Sequence, residues 1–303
     1  MYMTAYLKLI KLDNLLLLVI AQLCIKYGFF DPFPVAITLD SFGITLLIIA
    51  TLCIGAAGNI IIEIYDKEKF NGSELLNGSI SEKSANRWFI ILNVIGVLIG
   101  FYIANLIEKP EFSALFIISS GLFYLYASYL KELVVIKNFT IAVLISLSLL
   151  AVGIFDLLPA ITDENRASQQ VVFRIITDYT FFASTLILLR EIIKDCYTID
   201  TDHNAGLKTI PIILGKERTA KLVSGLTLIP IGMIVYYLYI YLFNNTYAVL
   251  YVLILLIAPL LYFMFKSWGA QIQKDFDLLS RTLKVILFLT SMFLLFYQFT
   301  ILP

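Results

Sequence analysis

Long apolar runs, separated by short polar clusters, follow one another along the chain from residue 12 onward. Each run approaches roughly 20 mostly apolar residues, the length that crosses a bilayer as a helix. They predict spans near 12–30, 41–62, 88–107, 112–130, 139–156, 171–189, 222–243, 247–265 and 283–302. The expected fold class is therefore all-α integral membrane, with about nine transmembrane helices in a single polytopic domain over residues 1–303. No long polar segment suggests a separate soluble domain, and no internal repeat is evident. The first run is read as a span and not as a cleavable signal, because Phe30-Asp31-Pro32-Phe33-Pro34 follows it without a small-residue cleavage site.

Composition agrees with this pattern. Hydrophobic residues make up 60% of the chain and charged residues only 15%, where a soluble domain carries roughly a quarter charged. Mean hydropathy is +0.90. Formal net charge is zero, so no overall field points to nucleic acid as a partner. Cys24, Cys53 and Cys196 fit no zinc or redox spacing and read as packing residues.

Lys and Arg set the orientation. With a cytoplasmic N-terminus, only Lys26, Lys109, Arg166 and Arg174 of the 22 fall on the outer side. Such a bias fits nine spans and would be scrambled by losing one. Two inner connections, 63–87 and 190–221, are long. Connections beyond about 12–15 residues are usually functional or disordered.

These two connections also hold most of the notable acids. After the second run, Asn59, Glu63 and Asp66 share one helical face at i, i+4 and i+7. After the sixth, Glu191, Asp195, Thr198 and Asp202 do the same at steps of 4, 3 and 4. Charged residues at a helix end are often only solvated juxtamembrane residues. Two such clusters, each opening a long inner connection, point instead to one oxygen-rich site at the membrane edge. Sites of this kind suit Mg²⁺, held by one or two carboxylates plus substrate phosphates.

The chain resembles the UbiA-type intramembrane prenyltransferase superfamily, and within it the geranylgeranylglyceryl-phosphate geranylgeranyltransferase branch. The resemblance spans nearly the whole chain. It is carried by Lys11-Leu12-Asp13-Asn14, the first acid motif, Tyr129-Leu130-Lys131, and most specifically Arg190-Glu191-Ile192-Ile193-Lys194-Asp195 running on to Asp202 and the tail Gly206-Leu207-Lys208-Thr209-Ile210-Pro211. It implies a UbiA-like nine-helix bundle and Mg²⁺-dependent transfer of an isoprenyl group from a polyprenyl diphosphate to a lipid or aromatic (quinone-type) acceptor. It further implies metal ligation by Glu63, Asp66, Asp195 and Asp202, with Asp66, Asp195 and Asp202 catalytic. Lys131, Lys194, Arg190 and Asn59 would bind the diphosphate. The protein would sit among membrane lipids in the cell's inner (plasma) membrane, its active site facing the cytoplasm.

The chain also departs from the family pattern. The first signature places Ile62, Glu63, Asp66 and Phe70 where the family has Asn, Asp, Asp and Asp, and Thr198 replaces the middle Asp of the second. Ile62 and Phe70 cannot ligate a metal, so Mg²⁺ binding should be weaker. A catalytically weakened or inactive isoprenoid-binding relative is therefore the second reading. A small-solute transporter is the third, opposed by acids gathered at one face and by span centres almost free of charge. His203, the one histidine, reads as an exposed loop residue. Asp178 is expected to pair with Arg174, four residues earlier. Lys208 is a further basic candidate. The triplets Asn71-Gly72-Ser73 and Asn77-Gly78-Ser79 match a glycosylation pattern but fall on the inner side.

Overall fold

The computed structural model describes residues 2–70 and 80–300, with side chains over 4–67 and 80–296. Residues 71–79, with both Asn-Gly-Ser triplets, and the side chain of Phe70 lie outside the described residues.

Among the described residues, nine helices are long and apolar enough to cross a membrane. They are span 1 (Leu12–Phe30), span 2 (Ser41–Lys67), span 3 (Glu82–Leu106), span 4 (Pro110–Ser128), span 5 (Ile136–Asp156), span 6 (Arg166–Tyr197), span 7 (Lys216–Leu242), span 8 (Thr246–Trp268) and span 9 (Gln273–Phe296). The expected architecture is what the structure has: an all-α, multi-pass membrane protein.

Several helices outrun the apolar segments that announced them, mainly at their inner ends. Span 3 begins at Glu82, capped by the Ser81 hydroxyl accepting from the Ser84 amide. Span 6 runs for 32 residues, about 48 Å at 1.5 Å per residue, against a hydrocarbon core of about 30 Å. Its inner turns therefore stand clear of the apolar layer and carry charged side chains. Most of the presumed inner connection 190–221 is helical too. After Thr198 come the short helices Ile199–Asn204 and Ile210–Leu214. Gly206 and Gly215 end them at φ 71° and 87°, where glycine carries no side-chain penalty.

Spans 1, 2, 4, 5, 6 and 9 contact one another in sequence around a central space, while span 3 packs on span 2 and spans 7 and 8 pack on the side of spans 6 and 9. Gly28 lets spans 1 and 9 meet backbone to backbone: a Cβ there would lie 2.8 Å from Leu295 Cα. At mid-bundle, Gln22 donates to the Ser148 carbonyl at 2.8 Å and accepts from the Thr51 hydroxyl at 3.2 Å, tying spans 1, 5 and 2 together. The three cysteines are free, two of them buried and one half-buried, as packing residues should be.

A buried ion pair locks the outer end. Lys26 is 2% exposed and Asp156 is fully buried. The Lys26 ammonium donates to Asp156 Oδ2 at 2.8 Å and to the Leu39 carbonyl at 2.6 Å. Asp156 Oδ1 accepts from the amides of Thr38 and Leu39 at 3.0 and 2.8 Å. One carboxylate thus fastens spans 1 and 5 to the segment crossing between spans 1 and 2. Breaking a buried pair from one side strands the other charge, at a cost of about 3–5 kcal/mol, whereas replacing both partners by apolar groups is often neutral. Asp156→Leu should therefore lower the melting temperature in detergent sharply, and the double variant Lys26→Met/Asp156→Leu should recover most of the loss. A double variant as unstable as the single one contradicts this role.

Candidate active site

The six-span ring encloses a cavity of about 620 Å³. Its inner mouth is charged and its depth is apolar. Lys11, Asn14, Asn59, Asp66, Lys131, Lys137, Asn138, Arg190, Glu191, Lys194, Asp195 and Asp202 line the mouth, while Leu15, Leu18, Ile54, Phe116, Phe123, Leu144 and Leu287 are among those lining the depth.

Two backbone features bring side chains to this mouth. Lys11 sits at φ 52°, turning the chain between the lead-in helix Tyr2–Leu9 and span 1. Val135 sits at φ 69° just before span 5, an outlier for a β-branched residue. Strain of this kind persists where surrounding structure enforces it and gathers at functional sites. Here it precedes Lys137 and Asn138 directly.

Every acid at the mouth has a partner. Asp66 is paired with Lys131. Asp195, buried, holds the Lys137 ammonium on Oδ1 at 2.8 Å and the Asn138 amide on Oδ2 at 2.9 Å. Glu191 takes Lys194 at 2.7 Å and lies 3.7 Å from Arg190. Asp202 is folded back by the break at Thr198, whose hydroxyl donates to Asp202 Oδ2 at 2.9 Å. Asp66 of span 2 and Asp195 and Asp202 of the second motif thus face one space, as do Lys131, Lys194 and Arg190. Asn59 lines it too, its amide donating to the Ile10 carbonyl at 2.8 Å.

Glu63 is not brought to the cavity; its carboxylate stands 3.8 Å from Lys11, and Ile62 lines the wall in its stead. Lys208 and His203 are exposed and line no part of it. Asp178 and Arg174 do not pair: both are exposed and border a separate outer cavity. In an i, i+4 pair the acid-first order is the favourable one, and here the base comes first.

Two buried residues went unnoticed in the sequence. Lys137 sits 6% exposed against Asp195. Tyr126, 7% exposed, lines the same cavity, within electrostatic reach of Glu191, Asp195, Asp66 and Asp202. Nothing in an apolar run rich in aromatics distinguishes Tyr126, and a positive-inside bias accounts for any inner lysine. Only the fold separates them.

The donors are hard oxygens, which suit Mg²⁺. The Asn138 Oδ1 is buried without a hydrogen-bond partner, as is the Arg190 Nε. Among the described residues no three acids stand close enough to hold a metal unaided. Mg²⁺ is typically held by one or two carboxylates, with water and substrate phosphate completing its shell. Asp66, Asp195 and Asp202 face one space, bordered by the basic side chains of Arg190, Lys194 and Lys131.

A model of the UbiA prenyltransferase family matches residues 16–292. The chain belongs to that family. It is a membrane prenyltransferase, an enzyme transferring alkyl groups other than methyl. It is similar to the digeranylgeranylglyceryl phosphate synthase of Methanobrevibacter smithii, 27% identical over 99% of this chain and 98% of the relative. It is also similar to that of Sulfolobus acidocaldarius, 30% identical over 75% of this chain and 76% of the relative. In fold it resembles a UbiA homologue from Archaeoglobus fulgidus solved with DMAPP and Mg²⁺, with a TM-score of 0.62, 17% identity, and 96% and 98% of the two chains covered. The apo UbiA homologue from Aeropyrum pernix gives a TM-score of 0.64 at 14% identity, covering 90% and 95%.

The pairing of Asp195 makes a prediction. Lys137→Met keeps the aliphatic stem and leaves the carboxylate without its ammonium, a loss of roughly 3 kcal/mol. The variant should melt several degrees lower than the parent. Added Mg²⁺ should raise its melting temperature more than the parent's, because a second cation can then neutralise Asp195. Equal shifts in the two proteins mean that Asp195 does not face a cation site.

Proposed function

We propose that this prenyltransferase transfers an isoprenyl group from a polyprenyl diphosphate to a lipid acceptor carrying a glycerol-phosphate head, with Mg²⁺, at the cytoplasmic face of the cell membrane. One observation carries the reading: a cavity whose mouth holds acids and bases from both acid motifs and whose depth is apolar. An isoprenyl diphosphate has this same division. Its tail is a membrane solute and only its head needs a polar mouth. Seven relatives named as digeranylgeranylglyceryl phosphate synthases support the choice of acceptor. The neighbour solved with DMAPP and Mg²⁺ supports donor and metal. The excess of Lys and Arg on the inner side supports the cytoplasmic placement.

In this reading Arg190, Lys194 and Lys131 grip the phosphate oxygens, Arg190 through the nitrogen now lacking a partner. Asp66, Asp195 and Asp202 are the residues that would hold Mg²⁺, which would supply Lewis-acid neutralisation of the leaving diphosphate. The allylic C–O bond breaks and the diphosphate leaves with its electron pair. The acceptor hydroxyl forms the new C–O bond, and its proton passes to the departing diphosphate. Tyr126, which lines the same cavity, is the aromatic ring available to stabilise the cationic carbon. The apolar walls keep water from intercepting it.

The degraded first motif favours a second reading, binding with little turnover, since each acid already holds its own partner. The two separate in one assay. Protein in nanodiscs with radiolabelled geranylgeranyl diphosphate, geranylgeranylglyceryl phosphate and Mg²⁺ should form a prenylated lipid, and EDTA should abolish it. Asp202→Asn and Asp195→Asn should each lower the rate at least about 100-fold, near 2.7 kcal/mol of transition-state stabilisation. Tight diphosphate binding without product in the parent supports the second reading; full activity in either variant sinks the proposed site.

A further inference from the structure

A second cavity, of about 230 Å³, is lined by spans 1, 6, 7, 8 and 9 toward their outer ends. None of the acids or bases of the charged mouth borders it. The backbone around it is unusual. π-helical turns are rare and gather at functional sites. The described residues hold three such segments, Cys24–Phe30, Leu238–Leu242 and Val252–Ile257. All three reach this cavity: the first through Phe29, the second through Tyr241 and Leu242, the third through Val252 and Leu256. Irregular turns in three separate spans thus converge on one space.

The charged residues lining it are Arg174 and Asp178 of span 6. Both lie inside the apolar run 171–189. Asp178 is seven residues into that run, about 10 Å along the helix at 1.5 Å per residue. An ionisable group at such depth is costly and marks a functional site, with a partner to be named. Both side chains are exposed, and neither has an ion pair or hydrogen bond among the described residues. Beside them stand Tyr236, Tyr237 and Tyr241 of span 7, the last two with ring centroids 4.8 Å apart. The rest of the lining is largely apolar, with Phe182, Ile234 and Leu256 among it.

These features describe their ligand. A molecule that is anionic at one end and cationic at the other satisfies both charges and leaves no net charge in the apolar layer. Arg174 suits phosphate, which its guanidinium can hold through two parallel hydrogen bonds. Asp178 suits an ammonium that donates hydrogen bonds, and tyrosine faces attract the same cation. The two residues are four apart on one helix, about 6 Å along its axis. The phosphorus and nitrogen of a phosphoethanolamine head are four bonds apart, and bonds of about 1.5 Å give at most about 6 Å. We propose that this cavity is a lipid site that takes an ethanolamine phospholipid from the leaflet opposite the charged mouth, with its phosphate on Arg174 and its ammonium on Asp178 beside the tyrosine rings. The apolar part of the lining receives the adjoining hydrocarbon.

Native mass spectrometry of the full chain, delipidated in detergent, reads bound lipid directly. The probes are phosphatidylethanolamine, phosphatidylglycerol and phosphatidylcholine with the same chains. Phosphatidylglycerol lacks the cation, and the cation of phosphatidylcholine has no N–H to donate. Phosphatidylethanolamine should bind at least about tenfold more tightly than either, a gap of about 1.4 kcal/mol. Asp178→Asn should bring it to the level of phosphatidylglycerol, whose own binding should stay within about twofold of the parent's. Arg174→Ala should weaken all three lipids, and Arg174→Lys, which keeps the charge, should retain most of the parent's affinity. Free phosphoethanolamine, without chains, should displace the lipid only weakly. The site is overturned if the parent binds the three lipids alike, if the preference survives Asp178→Asn, or if Arg174→Ala binds them as the parent does. Displacement by free phosphoethanolamine as effective as by the lipid overturns the assignment to a membrane ligand.

Discussion

Burying a carboxylate near a bilayer is costly unless a counter-charge and hydrogen bonds accompany it, and Asp195 meets that condition through the Lys137 ammonium and the Asn138 amide. The rest of the inner face follows from this constraint. Span 6 must run past the apolar layer to carry Asp195, and span 5 must start where its first residues can reach across. The strained backbone at Val135 sits just before that start. Once the two spans are tied there, the break after Tyr197 folds Asp202 back over the same space, and Arg190, Glu191 and Lys194 come with the helix. The result is a mouth in which positive and negative side chains are paired with one another.

The same logic, with a different purpose, governs the outer end. Lys26 and Asp156 are as deeply buried as any charges among the described residues, and they hydrogen-bond to each other and to backbone groups of the crossing segment. A closed pair of that kind fastens helices together. At the inner face, Asn138 Oδ1 and Arg190 Nε lack partners at the cavity. Between the two ends the cavity is apolar, so a ligand that fills it must be polar at one end only.

Much of this was legible in the sequence. Nine apolar runs became nine spans in the expected order. Asp66, Asp195 and Asp202 were singled out by helical spacing, and the structure lays all three on one cavity. The helix ends were read too short, because Glu82–Arg87 and Glu191–Tyr197 are charged and hydropathy measures only where apolar residues stop, whereas a helix can continue into water. Glu63 shares a helical face with Asp66 on paper but points to Lys11, since i, i+3 still leaves a wide arc. The expected Arg174–Asp178 pair failed on its order along the helix. Lys137 and Tyr126 left no local signal at all; their importance arises from contacts between residues far apart in the chain, such as Lys137 with Asp195.

The account as a whole claims that a diphosphate sits among Arg190, Lys194, Lys131 and the three aspartates, with its tail in the apolar depth of the cavity. The most direct measurement is an experimental structure with Mg²⁺ and a non-hydrolysable geranylgeranyl thiodiphosphate. The account predicts phosphate density within hydrogen-bond distance of the Arg190 guanidinium, metal density at Asp66, Asp195 or Asp202, and an extended tail within the apolar depth of the six-span ring. A diphosphate bound elsewhere, or a tail lying outside the six-span ring with the mouth still filled by its own ion pairs, contradicts it.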